Sequence, residues 1–186
     1  SGRILVVAFE GWNDATEAAS GAVKAIAEQI QAMTIDAVDP EDYYDFQFSR
    51  PMLELDEDGN RTLSWPGTEL MQASKDHIAK IPALDDLYLL IGTEPSRRWL
   101  SFAGEVLEMV QDREIDYVIM LGAMLADVPH TRPMQVFRSS QNPALRELFD
   151  LEPSRYEGPV GILTVLSQAF EAEGIPVLSL WGSVPH

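Results

Sequence analysis

His130 and Arg132 sit in a stretch bracketed by prolines, Asp127-Val128-Pro129-His130-Thr131-Arg132-Pro133, and their side chains could act directly on a small molecule. A histidine titrates near neutral pH and can serve as acid or base, while an arginine can clamp a carboxylate or phosphate through paired hydrogen bonds. Their loop position and polarity give them no evident core role, although an acidic neighbour such as Asp127 would account for both equally well. Three further segments hold polar groups between apolar runs: Phe9-Glu10-Gly11-Trp12-Asn13-Asp14, Gly92-Thr93-Glu94-Pro95-Ser96-Arg97-Arg98, and Tyr156-Glu157-Gly158-Pro159. The candidate binding set is therefore Gly11, Trp12, Asn13, Asp14, Thr93, Glu94, Arg98, His130, Thr131, Arg132 and Tyr156. In an enzyme or sensor, His130 would be the acid or base, Arg132 or Arg98 the anion clamp, and Asp14 or Glu94 an orienting carboxylate.

Each of these residues also has an ordinary structural use. Asn13 and Asp14 can cap a helix, Glu94 precedes a first-turn proline, Arg98 can neutralise a nearby carboxylate, and Trp12 can lie over a helix start. Sharper signatures are missing: there is no Gly-x-Ser-x-Gly elbow, phosphate loop or dinucleotide glycine fingerprint. Glu54-x-Asp56-x-Asp58-Gly59 imitates the front of a calcium loop, but its twelfth position is Trp65, and a hairpin explains the segment better. The three histidines form no ligand pair at helical spacing, and the absence of cysteine excludes disulfides, thiolate nucleophiles and Cys-ligated metals. No metal or cofactor is expected.

The elements that must position these loops read as an alternation of strands and helices. Ile4 to Phe9, Leu87 to Ile91, Tyr117 to Leu121 and Val177 to Trp181 are short apolar runs of the kind buried on both faces of a parallel sheet. Thr34 to Val38 and Met134 to Phe137 read as further strands, and Asp58-Gly59-Asn60 joins a hairpin expected at a sheet edge. Helices are predicted after Asp14, from Thr68 towards Ile81, through Trp99 to Val110, from Asn142 to about Phe149, and from the Tyr156–Pro159 segment to Gly174. On the first of these, Ala15, Ala18, Ala19, Ala22, Ile26 and Ile30 form a narrow face, and a bulky side chain at Ala18 or Ala22 should overpack it. The fold class is α/β, a three-layer α/β/α sandwich whose mostly parallel sheet is made mixed by the hairpin. In such sheets, loops at the carboxyl ends of parallel strands share one rim, where binding crevices form.

At 186 residues, one α/β domain over 1–186 is expected. The abrupt end at His186 predicts further sequence beyond it, and Ser1-Gly2 reads as a remnant of tag cleavage. A mean hydropathy of -0.07 and no long apolar run leave no membrane span and point to the cytoplasm. A formal charge of -17 repels phosphate backbones and makes nucleic acid an unsuitable partner.

Gly11-Trp12-Asn13-Asp14-Ala15 with Ala18-Ala19-Ser20, Gly92-Thr93-Glu94-Pro95 with Trp99, and Ala126-Asp127-Val128-Pro129-His130-Thr131-Arg132-Pro133 resemble the proteasome assembly chaperone two family in its bacterial, actinobacterial form. The similarity runs from the first strand to the last. The resemblance implies a fold similar to purine nucleoside phosphorylases. It also implies a non-enzymatic chaperone or adaptor that engages proteasome subunits and forms a homo-oligomer such as a trimer. Eukaryotic and archaeal relatives in that family look like adaptors that engage α-subunits, often through a C-terminal hydrophobic-Tyr-x tail, whereas the sequence here ends Val184-Pro185-His186. Two readings follow: a non-catalytic assembly factor working through protein surfaces, and a small-molecule enzyme or sensor of hydrolase or phosphorylase type.

Overall fold

The nearly all-apolar run Gly2–Glu10 forms β1, the central strand. Its alternation buries Leu5, Val7 and Phe9 towards one layer, and Val6 and Ala8 towards the other. The structure, a computed structural model, describes residues 1–129, 131 and 133–185. His130 and Arg132, two of the candidate side chains, lie outside the described residues, as does His186.

After β1 come α1 (Ala18–Gln29), β2 (Met33–Ala37), α2 (Pro40–Tyr43), β3 (Met52–Leu55), β4 (Arg61–Ser64), β5 (Thr68–Gln72) and α3 (Lys75–Ile78). Then follow β6 (Leu84–Thr93), α4 (Trp99–Asp112), β7 (Tyr117–Ala126), β8 (Gln135–Ser139), α5 (Pro143–Phe149), α6 (Ile162–Ala172) and β9 (Val177–Pro185). Seven strands form one sheet in the order β2-β5-β6-β1-β7-β9-β8, and its four central strands, β6, β1, β7 and β9, are parallel. β5 runs antiparallel to β6, β2 antiparallel to β5, and β8 antiparallel to β9, so the flanks make the sheet mixed. The β3–β4 hairpin forms as expected around Gly59, whose φ of 80° suits glycine. It is a separate two-stranded sheet, however, and not an edge of the main one.

α4 and α6 cover the face carrying Leu5, Val7 and Phe9, and α1 and α3 cover the face carrying Val6 and Ala8, which completes the three layers. Phe102 of α4 is wholly buried and meets Phe9 and Tyr43 edge-on at centroid distances of 5.9 and 5.2 Å. On α1 the close approach to the sheet is made at Ala19, Ser20 and Val23, whereas Ala22 is exposed. The expected overpacking at Ala22 is therefore misplaced. In a run of alanines, apolar periodicity carries little information about which side faces inward.

Three other expectations are corrected. Thr68 to Gln72 is a strand instead of a helix start: Thr68 and Leu70 are buried while Glu69 is exposed, and pairing with β6 outweighs the helical spacing. α6 begins at Ile162, with residues 152–160 running exposed before it. β7 continues through Gly122 to Ala126, paired with β9 from Val118↔Val177 to Ala126↔Pro185. Gly122 is needed inside that strand because the Trp181 ring lies where a Cβ would stand.

Candidate functional site

Because β1, β6 and β7 are parallel, the residues after Glu10, Thr93 and Ala126 leave the sheet at one edge. Gly11, at φ 126°, turns the chain there, and the Glu94 amide donates to the Glu10 carbonyl at 2.8 Å. The Asn13 carbonyl accepts from the Ala123 amide at 2.8 Å, which fastens the first loop to β7.

Asp14 is 6% exposed and caps α1 at unusual reach. Its Oδ1 accepts from the amides of Ala19 (2.8 Å) and Ser20 (3.1 Å), and its Oδ2 accepts from the Ser20 hydroxyl. The intervening 3-10 turn Ala15–Glu17 holds Thr16 and Glu17 at φ 56°, a conformation that non-glycine residues adopt at a cost of about 1–2 kcal/mol each. The carboxylate offsets that strain through three hydrogen bonds.

Glu94 does for α6 what Asp14 does for α1. Its Oε2 accepts the Ile162 amide at 3.0 Å, so a β6 loop residue caps a helix 68 positions later. A carboxylate at a helix N-terminus is favoured by the positive end of the peptide dipoles. Gly161, buried at the start of α6, lies against both the Asn13 amide and the Glu94 carboxylate, and any Cβ there would collide with them. Asn13 Oδ1 is buried, and among the described residues no hydrogen-bond donor meets it.

The remaining described candidates are occupied locally or face solvent. Arg98 pairs with Asp42 at 3.1 Å and lies over the Tyr43 ring at 5.7 Å. With both charged side chains 54% exposed, that pair contributes little stability. The Tyr43 phenol is pushed up to about 12, chiefly by burial and then by its hydrogen bond to Glu105. The Thr93 carbonyl accepts from the Tyr44 hydroxyl at 2.7 Å, and the Thr93 amide donates to the Gly67 carbonyl at 3.0 Å. Burial likewise raises Tyr44 to about 12. Trp12 is 58% exposed. Tyr156 is exposed and donates to the carbonyl of Pro159 at 2.8 Å, and Thr131 is an exposed turn residue.

The structure thus gathers Gly11, Asn13, Asp14 and Glu94 at the rim and commits Arg98 and Tyr156 elsewhere. Gly161, Ser20 and Tyr44 are participants the sequence reading missed. Gly161 had one signal, its place directly before the apolar run Ile162-Leu163. Tyr44 falls in a segment that matches no helical or strand period. A groove of about 880 Å³ lies between α1 and the hairpin, and of the described candidates only Thr93 lines it. Among the described residues no group of three or more His, Cys, Asp or Glu side chains could hold a metal ion, and no helix is long and apolar enough to cross a membrane.

A direct check of the Glu94 cap is its removal. Glu94→Ala should cost about 1 kcal/mol, the usual loss for an N-terminal cap. Glu94→Gln, which keeps an acceptor oxygen, should cost less. Urea unfolding with amide exchange at Ile162 measures both, and equal stability of Glu94→Ala and wild type would remove the capping role.

No curated protein matches the chain. A PAC2 family protein from Streptomyces avermitilis MA is 40% identical, with 99% of this chain and 76% of that one covered at a TM-score of 0.86. The Mycobacterium tuberculosis proteasome-assembly chaperone homologue is also 40% identical, covering 98% of this chain and 75% of its own at a TM-score of 0.85. An archaeal proteasome activator from Pyrococcus furiosus, 14% identical over 98% of this chain and 75% of its own, shares the fold at a TM-score of 0.74. With the PAC2 family model matching residues 8–186 as well, the chain belongs to the PAC2 family.

Proposed function

We propose that this protein is a non-catalytic assembly chaperone or adaptor that acts through protein–protein contacts, with proteasome subunits as its partners. One observation carries the reading: the carboxylates of the rim are spent on scaffolding, while large apolar side chains of the first loop and of the β7 and β8 region are left in water. Asp14 and Glu94 are taken up by backbone amides of α1 and α6. Trp12, Leu125, Met134, Val136 and Phe137 are each more than half exposed. Exposed aromatic and methionine side chains of this kind mark protein contact surfaces. The 40% identity to a proteasome-assembly chaperone homologue supports the same choice of partner. Self-association into a homo-oligomer such as a trimer, and action in the cytoplasm, belong to the same proposal.

Immobilised protein should retain purified proteasome α-subunits or 20S particles from solution, as read by native gel and mass spectrometry. Failure to retain either would overturn the proposal.

Asn13 Oδ1, which meets no donor among the described residues, favours a second reading, a small ligand with a hydrogen-bond donor received at the rim. A thermal-shift screen of nucleosides, phosphates and amino-acid derivatives tests it, since a ligand at a hundred times its Kd stabilises by about 2.7 kcal/mol. A library without any shift would remove this reading.

A further inference from the structure

The hairpin stands off the main sheet, and a two-stranded hairpin alone is marginally stable in water. Here an edge-on contact of Phe46 with Trp65, at 5.0 Å between centroids, ties its base to the body. Between that base and α1 lies the groove of about 880 Å³. Its floor is apolar, with Val23 and Ala27 from α1 and Met71 and Ile91 from the sheet. Its lip carries Phe48, Met52 and Trp65, which are 85, 61 and 53% exposed. A volume of this size holds several side chains.

The charges around it are unbalanced. Lys24 and Glu10 neutralise each other at 2.6 Å, and that bond raises the lysine's pKa. Glu28, Glu54 and Glu69 remain, facing among the described residues a single further cation, Arg50. A second copy of this chain would bring another charge of -17 to an acidic groove, and a phosphorylated or nucleic-acid ligand would be repelled in the same way.

We propose that this groove binds a segment of a partner protein in which apolar side chains are flanked by lysine or arginine. The inference rests on the protein-contact reading above and adds to the exposed side chains of Trp12, β7 and β8 a second contact site, with the chemistry it selects. Apolar side chains of the segment would cover Phe48, Met52 and Trp65 and reach towards Met71, while its cations would meet Glu28, Glu54 and Glu69. Charge selection of this type acts strongly on association rate and weakens with salt.

The test uses fluorescence anisotropy with two labelled peptides, one alternating leucine and lysine and one alternating leucine and glutamate. The lysine peptide should bind at least tenfold more tightly. The double variant Glu54→Lys/Glu69→Lys should weaken it by about tenfold or more, whereas Glu147→Lys/Glu152→Lys, an equal charge change at exposed positions outside the groove, should not. Phe48→Ala should weaken it severalfold with unchanged circular dichroism. Equal weakening by the two double variants, or an unaffected Phe48→Ala protein, would overturn the inference. So would sedimentation showing that Phe48→Ala dissolves a self-assembly, because the occupant would then be a second copy. Retention of proteasome subunits by the same variants separates the two claims. Undiminished retention by the groove variants sinks the groove alone, and no retention by wild type sinks the assembly role alone.

Discussion

A Gly92→Ala variant should lose about 3 kcal/mol of folding stability, the upper range for forcing an extra carbon into a packed interior. Gly92 of β6 pairs with Phe9 on one side and Thr68 on the other. A Cβ at this position would stand 2.5 Å from the Gly67 carbonyl oxygen and 2.8 Å from Thr68 Cα, with Thr68 Oγ1 closer still. Two of these atoms are backbone, so no rotamer change relieves the clash and β5 must retreat from β6. That retreat would strain the Tyr44–Thr68 hydroxyl contact at 2.6 Å and the Thr93–Gly67 hydrogen bond at 3.0 Å. In a chain of this size, roughly 2–4 °C of Tm accompanies each kcal/mol, so the melting temperature should fall by about 6–12 °C. A calorimetric scan decides it, and an unchanged Tm would mean that the two strands have more freedom than their register implies.

Asp14→Ala should be as damaging, costing about 3 kcal/mol, because it orphans donors that are already out of water. The Ala19 and Ser20 amides depend on this carboxylate, the Ser20 hydroxyl has beside it only a long 3.4 Å contact to the Glu17 carbonyl, and Ser20 is itself fully buried. The left-handed backbone at Thr16 and Glu17 would lose what holds it. Asp14→Asn keeps one acceptor oxygen and should recover part of the loss. Urea unfolding gives the magnitudes, and amide exchange at Ala19 and Ser20 shows whether the damage starts at the head of α1. If Asp14→Ala matched wild type in both, the turn would be stable without its carboxylate.

How much was legible in the sequence differed sharply between neighbouring elements. The central parallel strands announced themselves because strands covered on both faces must be apolar throughout, as Leu5 to Phe9 and Leu87 to Ile91 are. The shared rim followed from that parallelism. What occupies the rim did not, since Glu94 meets Ile162 only after the chain has passed through α4, β7, β8 and α5. Local chemistry identified the turn at Asp58-Gly59, but nothing local says whether a hairpin joins a sheet or stands apart from it. Thr68 to Gln72 fits a helix and a strand alike over five residues, and the neighbouring strand β6 resolves the ambiguity. The carboxylates Asp14 and Glu94 look the same in sequence whether they wait for a ligand or cap a helix.

β7 is paired with β1 only from Tyr117 to Met120, yet it stays laddered to β9 as far as Ala126. Past the last shared row, the ribbon of β7, β9 and β8 runs on without β1, held to that side by the Ala123 amide on the Asn13 carbonyl and by Ala123 packed with Ala19 and Val23 of α1. A load applied at Met124 or Val136 would therefore bear on those contacts, and through them on the turn that launches α1. Gripping the outer ribbon and tugging the head of that helix are one mechanical act.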